Sequence, residues 1–161
     1  MKIIITNCTE YNSAYLLIVC VSPILDSAGI VETVERYSLK YIDLFPATTN
    51  REKVSMLNMK VMIADHELKE EPFQMRMEIS KDELIHAVQI VSSANAVLHN
   101  GLTKDGLVVD VDTIAVIDGI SMEILLNDFS KKLDSIHSAN KSMFFDCLRS
   151  ETIAALGPSY E

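Results

Sequence analysis

The chain has 161 residues, 48% of them hydrophobic, with only five glycines and four prolines. That is enough for one ordinary core, and too apolar for disorder, so a single α+β domain over 1–161 is expected. The excess of 23 acidic over 14 basic side chains, a net charge of -9, argues against nucleic acid as a default partner.

The start, "MKIIITNC", has a short apolar run that reads as a first strand and lacks the features of an export signal. The longest apolar run, "AYLLIVCVSPIL", contains Pro23 and falls well short of the roughly 18 residues a membrane span needs. Tyr15, Leu16, Val19 and Ile24 follow a helical period, with Asn12 and Ser13 as caps, Gly29 as a stop and Pro23 as the cause of a kink. A cytoplasmic protein without a membrane anchor is expected. Cys8, Cys20 and Cys147 are odd in number and share no metal-binding spacing, which fits reduced thiols.

Ile30 to Phe45 is rich in β-branched and aromatic residues and is closed by Pro46, so it reads as a long strand. Tyr37, Leu39, Tyr41 and Phe45 share one face, and Arg36, Ser38 and Lys40 share the other. Thr49 and Glu52 have the spacing of a capping box and predict a short helix before residue 57. "LNMKVMI" and "FQMRMEIS" alternate as strands, the second half-buried through Phe73, Met75, Met77 and Ile79, with charged "DHELKEEP" as the turn between them. Residues 83–98 carry both a possible helix cap, Ser80 with Glu83, and the strand-like "AVQIVSS"; the strand is the preferred reading. "NGLTKDG" marks a loop, and "LVVDVDTIAV" a further strand with Asp110 and Asp112 on one face.

Ser121 can cap a helix in which Met122, Leu126, Phe129, Leu133, Ile136, Asn140, Met143 and Cys147 form one stripe. Read as one helix, that stripe is about seven turns or 40 Å long, more than a small sheet covers. Ser150 then caps a last short helix ended by Gly157 and Pro158. The fold expected is a mixed, mostly antiparallel sheet of five to six strands, packed against a kinked N-terminal helix and a long C-terminal helix.

Several of these residues also carry a likeness. Arg36, Ser38, Leu39, Lys40 and Tyr41 in one strand, Asp110 and Asp112 in another, and His137 before Phe144 and Phe145 in a final helix follow one another in order. In this the chain resembles a sporadically distributed prokaryotic protein family of unknown function, over the C-terminal part of a typical member. Ser38 stands where that family usually has glycine, and Asp43 where it has asparagine. The resemblance implies the fold and assigns no catalytic residues.

Two functions follow as expectations. The first is a non-catalytic module that self-associates, as a dimer, or binds another protein. Its contact is the C-terminal helix, through Phe129, Leu133, Ile136, Asn140 and Met143, or an open sheet edge. The second is a small anion-binding or nucleotide-binding domain centred on Arg36 and Lys40, with Asp110 and Asp112 nearby. Against the second, Arg36 and Lys40 lie about 13 Å apart along a strand, too far to clamp one small anion without a neighbouring strand, and a ladder of charges with Asp110 and Asp112 across strands is the preferred explanation. Asp110 and Asp112 supply too few oxygens for a divalent cation. Neither a metal nor another cofactor is expected.

Overall fold

The computed structural model describes residues 31–97 and 103–157, with Ile24 and residues 27–29. The first strand and most of the kinked helix expected before residue 30 lie outside the described residues. Among the described residues the strands are, in order, β1 (Val34–Pro46), β2 (Met62–Ile63), β3 (His66–Glu67), β4 (Gln74–Lys81), β5 (Leu84–Val97) and β6 (Thr103–Ile120). After β1 the helices are α1 (Asn50–Ser55), α2 (Met122–Asn127), α3 (Phe129–Asp146) and α4 (Ser150–Leu156).

The α+β class holds, but the strands divide differently from expectation. Four form an antiparallel sheet in the order β1-β6-β5-β4, and β2 pairs only with β3. The alternation from Leu57 to Ile63 does not make one strand. Leu57 forms an isolated bridge with Leu148, Asn58 N–H donates to Cys147 at 2.8 Å, and Arg149 N–H donates to Met56 at 2.9 Å. Those backbone groups are thus taken by the segment after α3, so strand pairing is confined to Met62 and Ile63, opposite Glu67 and His66, flanked by the Val61 carbonyl, which accepts from Leu68 N–H at 3.0 Å.

β4 and β5 join through two residues, Asp82 and Glu83, both left-handed at φ 51° and 63°. This is the geometry of a two-residue type I′ hairpin, which places Lys81 opposite Leu84. The same register carries along the ladder to Phe73, whose carbonyl accepts from Ser92 N–H at 3.0 Å. β6 begins earlier than its sequence suggests, because Gly106 belongs to the strand. A Cβ there would sit 2.5 Å from the Phe45 carbonyl oxygen, so only glycine permits the close approach of β1.

α1 forms as its capping box predicts. Thr49 accepts from Glu52 N–H at 3.2 Å, and Glu52 accepts in return from Thr49 N–H at 3.2 Å. The seven-turn helix does not form. Asp128, at φ -121° and ψ 20°, ends α2, and its carbonyl then accepts from Lys132 N–H at 3.1 Å to begin α3. α3, with 18 residues, is about 27 Å long.

By their contacts the residues fall into two compact units, each drawn from three stretches of chain. In the first (Met1–Ile42, Glu78–Ala87, Val111–Asn140), Val34, Leu39, Tyr41 and Ala115 of the strands bury against Met122, Leu125, Phe129, Leu133 and Ile136 of the helices. At about 2–5 kcal/mol per large side chain truncated to alanine, this cluster dominates that unit's stability. In the second (Asp43–Met77, Val88–Asp110, Lys141–Glu161), Phe45 stacks on Phe144 with ring centroids 6.1 Å apart. Also there, the Lys53 ammonium, almost wholly buried, lies 3.0 Å from the Asp105 carboxylate.

Candidate functional site

The polar row of β1 splits once it is in place. Arg36 is exposed, Lys40 is half-buried and Ser38 is buried. A small space lined by Arg36, Tyr37, Ser38 and Ile114 is about 20 Å³. That holds about one water and no phosphate. Asp110 and Asp112, on the neighbouring β6, are 9% and 8% exposed. Lys40, Asp110 and Asp112 are each engaged in interactions of their own. Among the described residues, no three His, Cys, Asp or Glu side chains converge as metal ligands.

The helix stripe is used inside the chain. Phe129, Leu133, Ile136, Asn140 and Met143 are all buried, Asn140 completely. This corrects the expectation that part of the stripe meets a second chain: the break at Asp128 turns the stripe inward, and no surplus length remains exposed.

Asn140 does not set register between chains; it ties strands within one unit. Its amide nitrogen donates to the carbonyls of Leu39 (3.0 Å) and Val111 (3.0 Å) and to Thr113 Oγ1 (2.8 Å). Carbonyl oxygens only accept, so the nitrogen, not the oxygen, must face them. Thr113 Oγ1 is also 2.9 Å from His86 Nδ1. The hydroxyl has two lone pairs and one proton, so it can accept from Asn140 while also bonding His86 Nδ1 in either direction. Burial, reinforced by Lys81, holds His86 below its ordinary pKa and so favours the neutral imidazole. Nearby, the Tyr41 hydroxyl lies 2.7 Å from His137 Nδ1, and the rings meet edge-on at 5.7 Å. These histidines have structural partners.

In the second unit an open groove of about 720 Å³ is lined in part by Asn58, Met59, Lys60, Phe145, Arg149 and Ile153. Of its basic side chains, Arg149 donates through Nε to the Leu57 carbonyl at 3.0 Å, and Lys60 lies 3.7 Å from Glu67. Cys147, in the same stretch, has its thiol pushed up to about 11 by burial and by Asp146. It is not a nucleophile at neutral pH.

β4 keeps the alternation the sequence predicts, with Phe73, Met75 and Ile79 half-buried and Gln74, Arg76, Glu78 and Ser80 exposed; Met77, 41% exposed, is the one departure. The strand lies at the end of the four-stranded sheet, with no described strand beyond it. Periodicity reports which residues share a face and cannot report whether anything covers that face.

No protein-family model, curated protein or solved structure matches this chain. Among the described residues no helix is long and apolar enough to cross a membrane.

Proposed function

We propose that this chain is a non-catalytic, cytoplasmic module that self-associates, as a homodimer, through an open edge of its sheet. The observation that carries the reading is β4, the edge strand of the four-stranded sheet among the described residues, which exposes its polar face and the apolar Met77. An edge strand presents a row of backbone donors and acceptors, which natural proteins cover, shorten or pair. Support also comes from what the polar groups do. Asn140, His86, Tyr41 and His137 hydrogen-bond inside the fold, and the thiol of Cys147 is protonated at neutral pH, so the most reactive side chains described are occupied structurally.

Sedimentation equilibrium at tens of micromolar tests this reading. The expected mass is twice the 18.0 kDa of one chain. A single-chain mass across that range overturns the proposal.

A further inference from the structure

We propose that the partner of β4 is β4 of a second copy, paired antiparallel about a two-fold axis through Met77. This rests on the self-association reading above and specifies its surface. The surface is one continuous strand, so the argument needs only β geometry.

The direction of the backbone groups comes first. The hairpin closing at Lys81 and Leu84 and the bond from Ser92 to Phe73 turn the N–H and C=O of the odd-numbered residues of β4 toward β5. Those of Gln74, Arg76, Glu78 and Ser80 therefore point away from β5. Two copies of such an edge can pair only with these four residues in hydrogen-bonded positions. Met77 on the axis meets this condition, because it places Arg76 opposite Glu78 of the partner subunit and Gln74 opposite Ser80 of the partner subunit. This register brings the N–H and C=O groups of all four residues of each strand opposite those of the other.

The side chains fit the same axis. "QMRMEIS", residues 74–80, reads as a palindrome in chemical type around Met77. On one face Met77 meets its own copy, and Met75 meets Ile79 of the partner subunit. On the other face arginine meets glutamate twice and glutamine meets serine twice. Opposite charges directly across strands stabilise a pair and like charges destabilise it. Moving the axis by two residues to Met75 would place Arg76 opposite Gln74 and leave Glu78 opposite Pro72, so charge complementarity selects Met77. A self-complementary patch of this kind is what a two-fold interface requires. Neither Arg76 nor Glu78 has to be idle in the single chain, since both are exposed and the new pair adds to their existing interactions.

Charge exchange and cross-linking test the register. Arg76→Glu and Glu78→Arg, each alone, create two like-charge pairs and are expected to weaken dimerisation by about tenfold or more, while the double variant returns to within about threefold of the parent. Met77→Cys is expected to form an intermolecular disulfide on mild oxidation. The axial residues form a non-hydrogen-bonded pair with Cα atoms about 4.5 Å apart, inside the disulfide range of roughly 4.4–6.8 Å. Tryptic mapping locates the bond in the peptide of residues 77–81. Ile79→Cys should not cross-link to itself, because its copies lie about 13 Å apart along the strand. Unfolding midpoints of all variants establish that they fold. A parent that stays monomeric overturns this inference together with the proposed function. A parent that dimerises overturns this register alone if the charge exchange fails to restore affinity, or if position 79 cross-links in place of 77.

Discussion

Asn140 is the side chain on which the first unit's polar interior turns, and its replacement separates hydrogen bonding from shape. Asn140→Ala removes an amide whose two hydrogens serve three acceptors, Leu39 O, Val111 O and Thr113 Oγ1. Two net hydrogen bonds at about 1 kcal/mol each, with roughly 1 kcal/mol more for the space vacated, give a loss of about 3 kcal/mol. For a chain of 161 residues that lowers the thermal midpoint by about 6–12 °C. Asn140→Asp keeps the shape but turns an oxygen toward three oxygens. Its carboxyl is pushed toward the protonated form, so the folded-state pKa rises above the unfolded value of about 3.9. Stability of this variant is therefore best at low pH and falls as pH rises. Urea unfolding followed by circular dichroism at pH 7 should rank the parent above Ala and Ala above Asp, with the last two converging near pH 4. An Asp variant as stable as the parent at pH 7 would refute the assignment of the amide as a donor.

Three further outcomes are expected. Glu83 occupies a left-handed position at φ 63°, so Glu83→Gly should stabilise by about 1 kcal/mol, read as a higher urea midpoint; a lower midpoint would mean the turn is not of the two-residue kind. His86 is held below its ordinary value of 6.5 by burial first and by Lys81 second, so the unfolded chain binds the proton more readily. Its contribution is complete above about pH 6.5 and is lost as pH falls toward the depressed folded value; the slope of stability against pH between 6.5 and 5 should shrink in His86→Gln, and an unchanged slope would remove His86 as its source. Asp105→Asn leaves the buried Lys53 ammonium facing a neutral group and should cost about 1–2 kcal/mol, the exposure of Asp105 limiting the loss, whereas Lys53→Met should change stability by less. The reverse order in parallel urea titrations would show that the ion pair does not set the cost.

What could be read from the sequence was local. The capping box at Thr49 and Glu52, the cap at Ser121 and the left-handed stop at Gly157 are decided by a few neighbouring atoms, and all three appear. α4 also begins at Ser150, although Arg149 holds the cap position and makes no side-chain cap. The preferred strand over 83–98 is β5, whose apolar residues on both sides blurred its period. The failures came from distant residues. Thr103–Gly106 looked like loop because nothing local shows that Phe45 will approach Gly106. The break at Asp128 has neither proline nor glycine to announce it. At the candidate sites, composition found Asn140 and misplaced its partners, which lie 101, 29 and 27 positions away. Along β4 the alternation was legible and only the exposure of Met77 was not.

Those separations bear on how the chain reaches its fold. Leu39, Val111 and Thr113 emerge from the ribosome before Asn140 does, so while the chain is being made the strands exist without the amide that satisfies them. Contacts this remote in sequence slow folding, and sheet without its helix is prone to aggregate. The nascent sheet should therefore remain a chaperone client until α3 arrives, and a ribosome stalled before residue 140 should display chain that is protease-sensitive in β1 and β6.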